Sequence, residues 1–273
     1  MLIKNKLRTP IPVVSGERLA VAVQGFHPSA FLSNETARIQ STIGNGKAIA
    51  AVSGGVDSTV AAVVARRALG DRLYPVFIDT GFLREGEPEA VKSRLSDPAL
   101  GLKLRLIRAS GRFLEATKGE TSAEDKRKRF RETFYQVLGE EAKKNECEYL
   151  IQGTIAPDWI ETQGGIKTQH NVLSQVGIDP FQSYGFKVVE PLSELYKDQV
   201  RVLGKHLEVP SDLARRQPFP GPGLLVRCIG GVSKNKLSLL KSATKIVEDK
   251  LGPFNYEQYF AGVIENRFAK DPA

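Results

Sequence analysis

The sequence predicts an α/β fold, an open parallel sheet of about five strands with helices on both faces. Short apolar runs rich in Val, Ile and Leu alternate along the chain with segments whose apolar residues recur at helical spacing. This alternation is typical of βαβ units, in which successive strands lie parallel. Such sheets bind ligands at the carboxyl ends of their strands, so we expect functional residues directly after predicted strands.

Each element of this fold corresponds to a particular stretch of the chain. Strands are predicted over residues 47–52, 73–78, 102–107, 149–152 and 186–189. Helices are predicted over residues 58–69, 87–95, 123–145 and 197–206. Residues 164–184 are polar and weakly periodic, as expected of an active-site loop, and residues 217–223 contain too much Pro and Gly for a regular element. Residues 1–32 lack periodicity and are expected to be an N-terminal extension of a domain that covers residues 33–210.

Composition limits the classes of function. Among 273 residues, 39 Lys and Arg face 31 Asp and Glu, and the formal charge of +8 suits a polyanionic partner, either nucleotide phosphates or a nucleic acid. Two cysteines and three histidines are too few for a disulfide framework or a His/Cys metal cage. No apolar run reaches the roughly 20 residues that cross a bilayer, so we expect a cytoplasmic protein with no membrane partner.

The sequence SGGVDS, from Ser53 to Ser58, predicts a phosphate-binding loop between a strand and a helix. Gly54 and Gly55 permit a tight turn that brings main-chain N–H groups close to an anion, and the helix adds its free N–H groups and positive dipole end. The two serines supply hydroxyl donors, and Asp57 can hold a Mg²⁺ ion that bridges phosphate oxygens. The alternative is a glycine-rich turn in which Asp57 only caps the helix. A GxxxxGK[ST] lysine is absent here, so this is not a Walker loop.

SGGVDS is the signature of the PP-loop ATP pyrophosphatases, and the chain resembles this family, whose fold is of the adenine nucleotide alpha-hydrolase type. Its members cleave ATP between the α and β phosphates and transfer AMP to a carbonyl oxygen. Other segments resemble the GMP synthetase branch, closest to the archaeal type in which the synthetase is a separate subunit. They are FIDTGFLR from Phe77, LIQGTIAPDWIE from Leu150, IKTQHN from Ile166 and FPGPGL from Phe219. The resemblance covers roughly residues 26–265.

The resemblance implies a set of site residues. ATP would contact Ser53, Gly54, Gly55, Val56, Asp57, Ser58, Ile78 and Gly153, with Asp57 on the metal. Lys167, in a segment similar to the family's IKSHHN lid, would stabilise charge on the phosphates, with Asp57 and Ser58 as its catalytic partners. Thr168 and Gln169 depart from the lid pattern. Acceptor contacts are implied at Arg127, Asp158, Glu161, His170, Pro222 and Gly223.

Several of these residues have a structural alternative. Asp158 alone is more typical of a surface turn, Lys167 of a solvated loop, and the basic run 126–129 of a solvated helix face. The Pro/Gly loop is either a structural corner or a wall of a purine site. In the family, the arginine that matches Arg127 binds the acceptor's phosphate, and a guanidinium suits this role because its planar fork can make two bonds to one phosphate.

The resemblance implies an ATP-dependent ligase of purine biosynthesis that uses ATP and Mg²⁺. Xanthosine monophosphate would be adenylated, and ammonia from a separate glutamine amidotransferase subunit would then displace AMP to give GMP. Residues 211–273 are expected to hold the Pro/Gly loop and a shortened remnant of the family's C-terminal dimerisation domain, which leaves a homodimer as a candidate assembly. Two alternatives stay open. One is an adenylating enzyme for another acceptor such as an RNA base, the only case with a nucleic-acid partner, and the other is a nucleotide-binding regulatory subunit without turnover.

Overall fold

The central feature of the computed structural model is a parallel sheet of five strands. The model describes residues 25–158, 179–210, 213, 219–254, 256 and 258–264. The strands are β1 (Lys47–Ala51), β2 (Leu73–Asp79), β3 (Arg105–Arg108), β4 (Cys147–Ile151) and β5 (Lys187–Val189). All pairs are parallel, in the order β3-β2-β1-β4-β5, so the predicted fold class is confirmed. The chain runs outward from β1 to β3 and returns to β4 on the other side of β1, which makes the β1–β4 boundary the switch point where such sheets bind ligands.

Helices connect and cover the strands. They are α1 (Pro28–Ile43), α2 (Val56–Leu69), α3 (Glu87–Leu95), α4 (Ser110–Ala116), α5 (Ala123–Lys144), α6 (Pro180–Tyr184), α7 (Lys197–His206) and α8 (Lys234–Leu251). Short 3₁₀ turns cover Gly70–Arg72, Pro98–Leu100 and Gly223–Arg227. Near the C-terminal end of the described residues, β6 (Cys228–Ile229) pairs in parallel with β7 (Val263–Ile264). Within the described ranges, no helix is both long and apolar enough to cross a membrane.

The sheet separates two hydrophobic cores. Side chains of a strand alternate between its faces, and accordingly Ala48 and Ala50 of β1 belong to one core while Ile49 belongs to the other. The first core joins the sheet to α1, α2 and α7. The second joins it to α4, α5 and the segment from Leu224 to Leu240. Part of the region assigned to a C-terminal remnant therefore packs directly on the sheet.

A buried lysine ties that C-terminal segment to α5. Lys126 is 1% exposed, and its Nζ donates to the carbonyl oxygens of Cys228 at 2.5 Å and Gly230 at 2.6 Å. Burial lowers the pKa of the Lys126 ammonium. The solvated-face alternative for the basic run is thus wrong for its first residue, because the two carbonyls replace the water that this charge loses.

Agreement with the predicted elements differs from one part of the chain to another. Helices 87–95 and 197–206 match α3 and α7, and the long helix differs from α5 by one residue. The prediction of a strand over 102–104 was wrong: Leu102 and Leu104 are buried, but they lie in the connection before β3. The structure also has α1, α4 and α8, which were not predicted, and α6 lies inside the predicted loop. Helix α1 crosses the expected boundary between residues 32 and 33.

Candidate functional site

The sequence SGGVDS directly follows β1 at the carboxyl edge of the sheet, and we call residues 53–58 the phosphate loop. Helix α2 begins at Val56, with Gly55 as its N-cap and no side-chain hydrogen bond at the cap. Asp57 is therefore inside the first turn, and the alternative in which it caps the helix is wrong. Gly54 has φ +78°, a left-handed conformation that suits glycine and lets the chain turn from strand to helix.

Two serines hold the phosphate loop closed. The Ser53 N–H donates to Ser58 Oγ at 3.1 Å, and the two hydroxyl oxygens lie 2.9 Å apart. Ser53 Oγ also accepts from the Gly55 N–H at 3.3 Å, and Ser58 Oγ donates to the Gly55 carbonyl at 3.2 Å. The predicted hydroxyl donors thus shape the loop, and the first-turn N–H groups of α2 have no partner within the helix.

Gly153, which follows β4, supports the start of α2 from the other side of the switch point. A Cβ atom at this position would lie 2.8 Å from both the Cα and the N atom of Ser58 and 2.9 Å from the Asp57 carbonyl carbon. Any larger residue would push the first turn of α2 out of place, since real Cβ contacts are not this short. The space beside Gly153, where the resemblance implies an ATP contact, is taken by the backbone of the first turn of α2.

One carboxylate oxygen of Asp57 accepts a hydrogen bond, and the other has no hydrogen-bond partner. Lys197 Nζ, at the first residue of α7, donates to Asp57 Oδ2 at 2.5 Å. Asp57 Oδ1 is buried and has no hydrogen-bond partner. A buried orphan oxygen is costly unless a ligand completes it, and a hard cation prefers oxygen ligands of this kind. The residues therefore fit Mg²⁺, held by this carboxylate together with phosphate oxygens; the described residues contain no cluster of three or more His, Cys, Asp or Glu that could hold a metal alone.

The phosphate loop forms one side of a pocket of about 420 Å³, a size typical of small-molecule sites. Predicted residue Ile78 lines it, together with Lys197 and two arginines, Arg84 and Arg201. Three aromatic side chains also line the pocket, and we call Phe130, Phe134 and Phe219 the aromatic wall. The rings of Phe130 and Phe134, one helical turn apart on α5, stack with centroids 6.2 Å apart. The pocket thus combines cationic and aromatic side chains, which suit the phosphates and the base of a nucleotide.

The Pro/Gly loop contributes to this pocket through residues other than those predicted. Phe219, Pro220 and Gly221 line the pocket, whereas Pro222 and Gly223 are buried beside it. Gly223 has φ +61°, and a Cβ atom there would lie 2.2 Å from the Phe82 carbonyl oxygen. These two residues form a structural corner, and the residues just before them form the wall of the pocket.

Among the other predicted residues that the structure describes, Arg127 and Asp158 are not part of the pocket's lining. Arg127 is in the first turn of α5 with a side chain 42% exposed, 3.5 Å from Glu124 and outside the pocket's lining. Asp158 Oδ2 accepts from the Ile155 N–H at 2.9 Å, the geometry of the surface-turn alternative. Glu161, Lys167 and His170 lie outside the described residues.

A chain of hydrogen-bonded polar side chains includes Gln152 and Thr154, the two neighbours of Gly153 in the sequence. Tyr135 OH donates to Gln152 Oε1 at 3.4 Å, Gln152 Nε2 donates to Thr154 Oγ1 at 3.2 Å, and Thr154 Oγ1 donates to Glu190 Oε1 at 2.6 Å. Burial raises the pKa of the Glu190 carboxyl, and the charge of Asp158 adds to the effect against the opposing hydrogen bond from Thr154. This chain connects α5, β4 and β5 and fixes the turn that carries Gly153.

Sequence reasoning missed Lys197 and the aromatic wall. Lys197 is 140 residues from Asp57, so no local spacing joins them. The available signal was its position at the start of a predicted helix after the last predicted strand, where the topology returns to the switch point. Phe130 and Phe134 recur at helical spacing on the apolar face of the predicted helix 123–145, but nothing in this period shows that the face lines a pocket.

Comparison with solved structures shows which known folds this arrangement shares. The structure of NMN synthetase from Francisella tularensis matches with a TM-score of 0.55 and 19% identity, covering 84% of this chain and 87% of that one. NH3-dependent NAD synthetase from Campylobacter jejuni matches with a TM-score of 0.53 and 15% identity over the same shares. At these identities the likeness concerns the fold alone.

Comparison with curated sequences is far closer, although no protein-family model matches the chain. One of the subunits of the glutamine-hydrolyzing GMP synthase from Sulfurisphaera tokodaii is 52% identical over 241 residues, which are 88% of this chain and 64% of that protein. The corresponding GMP synthase subunit from Methanocaldococcus jannaschii is 48% identical over 88% of this chain and 76% of its own length. The chain thus spans from just under two thirds to about three quarters of the relatives it matches. With about half of the residues identical over 88% of its length, the chain belongs to the family formed by this subunit of the archaeal GMP synthases.

Proposed function

We propose that this chain is the ATP-dependent synthetase component of a GMP synthase, an AMP-forming ligase. The observation that carries the proposal is the orphan oxygen of Asp57, set beside Lys197 at the open side of the phosphate loop. One unsatisfied carboxylate oxygen and one cation, next to helix N–H groups, suit a metal-bound polyphosphate. The names of relatives about 50% identical to the chain support the choice of reaction.

In this proposal the pocket's two sides hold the two parts of ATP. The aromatic wall receives the adenine, because a purine stacks well on Phe rings, and the phosphate loop receives the phosphates. Lys197 and Arg201 line the same pocket and offset the negative charge that leaves with pyrophosphate. When bound, Mg²⁺ would be held by Asp57 and would neutralise phosphate charge.

The proposed reaction has two displacements. The O2 oxygen of xanthosine monophosphate attacks the α-phosphorus of ATP, the bond from that phosphorus to the β-phosphate oxygen breaks, and pyrophosphate leaves. Ammonia then attacks C2 of the purine, the C2–O bond breaks, AMP leaves with that oxygen, and the new amino nitrogen loses one proton to solvent to give GMP. The protein's part is to position the reactants and to stabilise charge rather than to act as an acid or base.

Binding of the acceptor rests on the family resemblance. Arg127 is assigned to the acceptor's phosphate, and the position of its guanidinium supports this, since the group is substantially exposed and only loosely paired with Glu124. Glu161, Lys167 and His170 keep their predicted roles as part of the proposal. Asp158, Pro222 and Gly223 stay candidate acceptor contacts on the family resemblance alone.

Ammonia is assigned to a separate amidotransferase subunit, in keeping with the relatives' designation as one subunit of a glutamine-hydrolysing enzyme. The two cysteines of this chain support the assignment. Both Cys147 and Cys228 are buried, and burial raises the pKa of both thiols, that of Cys147 to about 11. A thiol in this state is a poor nucleophile for glutamine hydrolysis.

The test is a turnover assay with ATP, Mg²⁺, ammonium and xanthosine monophosphate, in which AMP, pyrophosphate and GMP are measured separately. The proposal expects the three products in equal amounts and no AMP when the xanthylate is omitted. AMP release that depends on RNA instead would establish another acceptor. ATP binding without any AMP would establish a regulatory role, and either result would overturn the proposal.

A further inference from the structure

Two guanidinium groups contact the ring of Phe219, in the aromatic wall. The Arg84 Cζ atom is 4.0 Å from the ring centroid, and the Arg227 Cζ atom is 4.8 Å from it. A guanidinium group is attracted to the electron-rich face of an aromatic ring, so these two contacts hold the ring in one orientation. Phe219 and Arg84 both line the nucleotide pocket. The orientation of this ring therefore sets the shape of the pocket's apolar side.

Arg84 is itself fixed by two carboxylates. Its Nε donates to Glu248 Oε1 of α8 at 2.5 Å, and its Nη1 lies 3.4 Å from Glu87 Oε1 at the start of α3. The Arg84 side chain is only 13% exposed, and the side chains of Glu87 and Glu248 are 6% and 31% exposed. An arginine this buried depends on its partners, because it has lost most of its water.

Glu248 also limits repulsion between the two arginines. Burial lowers the pKa of the Arg227 guanidinium, the nearby charge of Arg84 lowers it further, and Glu248 opposes both effects. Removal of the Glu248 charge would leave two guanidinium groups on one ring with less negative charge near them. Because like charges repel in a site that water reaches poorly, the stack would then open.

We propose that Arg84 and Glu248 are positioning residues that hold Phe219 as the base-contacting wall of the nucleotide pocket, and that they thereby couple α8 to nucleotide binding. This inference rests on the proposed function, in which the pocket holds ATP. Neither residue needs to touch the reacting phosphates. Their effect should therefore appear in the affinity for ATP and not in the rate of the bound complex.

The experiment measures ATP binding by calorimetry and steady-state turnover for the wild type, Glu248→Gln and Arg84→Lys. Glu248→Gln keeps the shape but removes the charge, and Arg84→Lys keeps the charge but removes the planar group that stacks. We expect both the Kd and the KM for ATP to rise about three- to tenfold in each variant, with kcat within about twofold of wild type. In a double variant with Phe219→Leu, the effect of Glu248→Gln should largely disappear, since the ring it positions is gone.

The matched control is Glu140→Gln, which breaks an exposed ion pair with Arg112 away from the pocket and should leave the KM unchanged. A second readout is amide hydrogen exchange of α8, which ATP should slow in the wild type and less so in Glu248→Gln. If the wild type binds ATP and Glu248→Gln binds it equally well, or if its effect adds fully to that of Phe219→Leu, the inference is overturned. A wild type that fails to bind ATP would instead refute the proposed function.

Discussion

The two sides of the pocket are built in different ways. The phosphate loop is six consecutive residues between one strand and one helix, and its two serines shape it through hydrogen bonds within the loop, although Asp57 also pairs with Lys197 of α7. The aromatic wall combines α5 with a loop near residue 219, and that loop is held by Arg84 and Arg227 from two further segments. The first side is local in sequence and the second depends on tertiary packing.

This difference indicates separate roles: the phosphate loop serves the chemistry, and the aromatic wall selects the base. Backbone amides and a helix terminus bind any phosphate group in much the same way, so a local motif is sufficient for them. A base is selected by the shape of an apolar surface, and a surface of this kind needs side chains from several elements. Variants of the loop side should therefore reduce turnover, while variants of the wall should change the affinity for the nucleotide.

The largest effect is expected from Asp57→Asn on the loop side. The amide keeps the shape of the side chain but removes the charge that a cation needs, so kcat should fall at least about 100-fold. Pyrophosphate release measures this loss, and circular dichroism should show an unchanged fold. Asp71→Asn is the matched control, because Asp71 also pairs with a lysine, Lys103 at 2.9 Å, but its side chain is 74% exposed and lies just after the C-terminal end of α2. Turnover of Asp57→Asn close to that of wild type would remove Asp57 from the metal site.

A smaller loss of activity should follow from Lys197→Gln. This variant tests whether the phosphate site includes a residue outside the SGGVDS motif. Without the ammonium group, charge on the departing pyrophosphate is less well stabilised, and kcat/KM for ATP should fall about 10- to 100-fold. Lys205→Gln is the control, since this lysine lies on the same helix with an exposed side chain. If the two variants are equally active, Lys197 does not contribute to phosphate binding, and the phosphate site consists of the SGGVDS motif alone.

Phe134→Leu tests the aromatic wall. The shorter side chain loses the flat ring that faces the pocket, so the KM for ATP should rise about three- to tenfold with kcat nearly unchanged. Phe181→Leu is the control, because that ring is 56% exposed and lies on α6 outside the pocket. A fall in kcat without a change in KM would contradict the division between the two sides.

The same division explains what the sequence could reveal. The phosphate loop, the strands that flank it and α7 were predictable because their signals are local: glycines at a turn, β-branched runs and helical periods. Lys197 beside Asp57, and Phe219 against two arginines, were not predictable because these contacts join residues far apart in the chain. Pro222 and Gly223 show the same limit, since their residue types indicated a rigid loop but not which of its residues face the pocket. Helix α8 was not predicted, although its buried residues Leu237, Leu240 and Thr244 recur at helical spacing.

The smallest effect concerns the buried polar chain that supports the loop side through Gly153. Burial raises the pKa of Glu190 above its ordinary value near 4.5, so the folded protein binds this proton more tightly than the unfolded chain does. Burial of the ionised group therefore costs stability above the raised pKa, and this cost disappears as the pH falls through that value. Glu190→Gln can still accept from Thr154 but does not titrate, so its Tm relative to wild type should be highest near pH 8 and should decline as the pH approaches about 4. Glu194→Gln changes an exposed neighbour and should show no such trend. If the Tm difference between Glu190→Gln and wild type stays constant across this pH range, Glu190 ionises alike in the folded and unfolded states. No comparable pH dependence is expected of the aromatic wall, whose rings carry no titratable group.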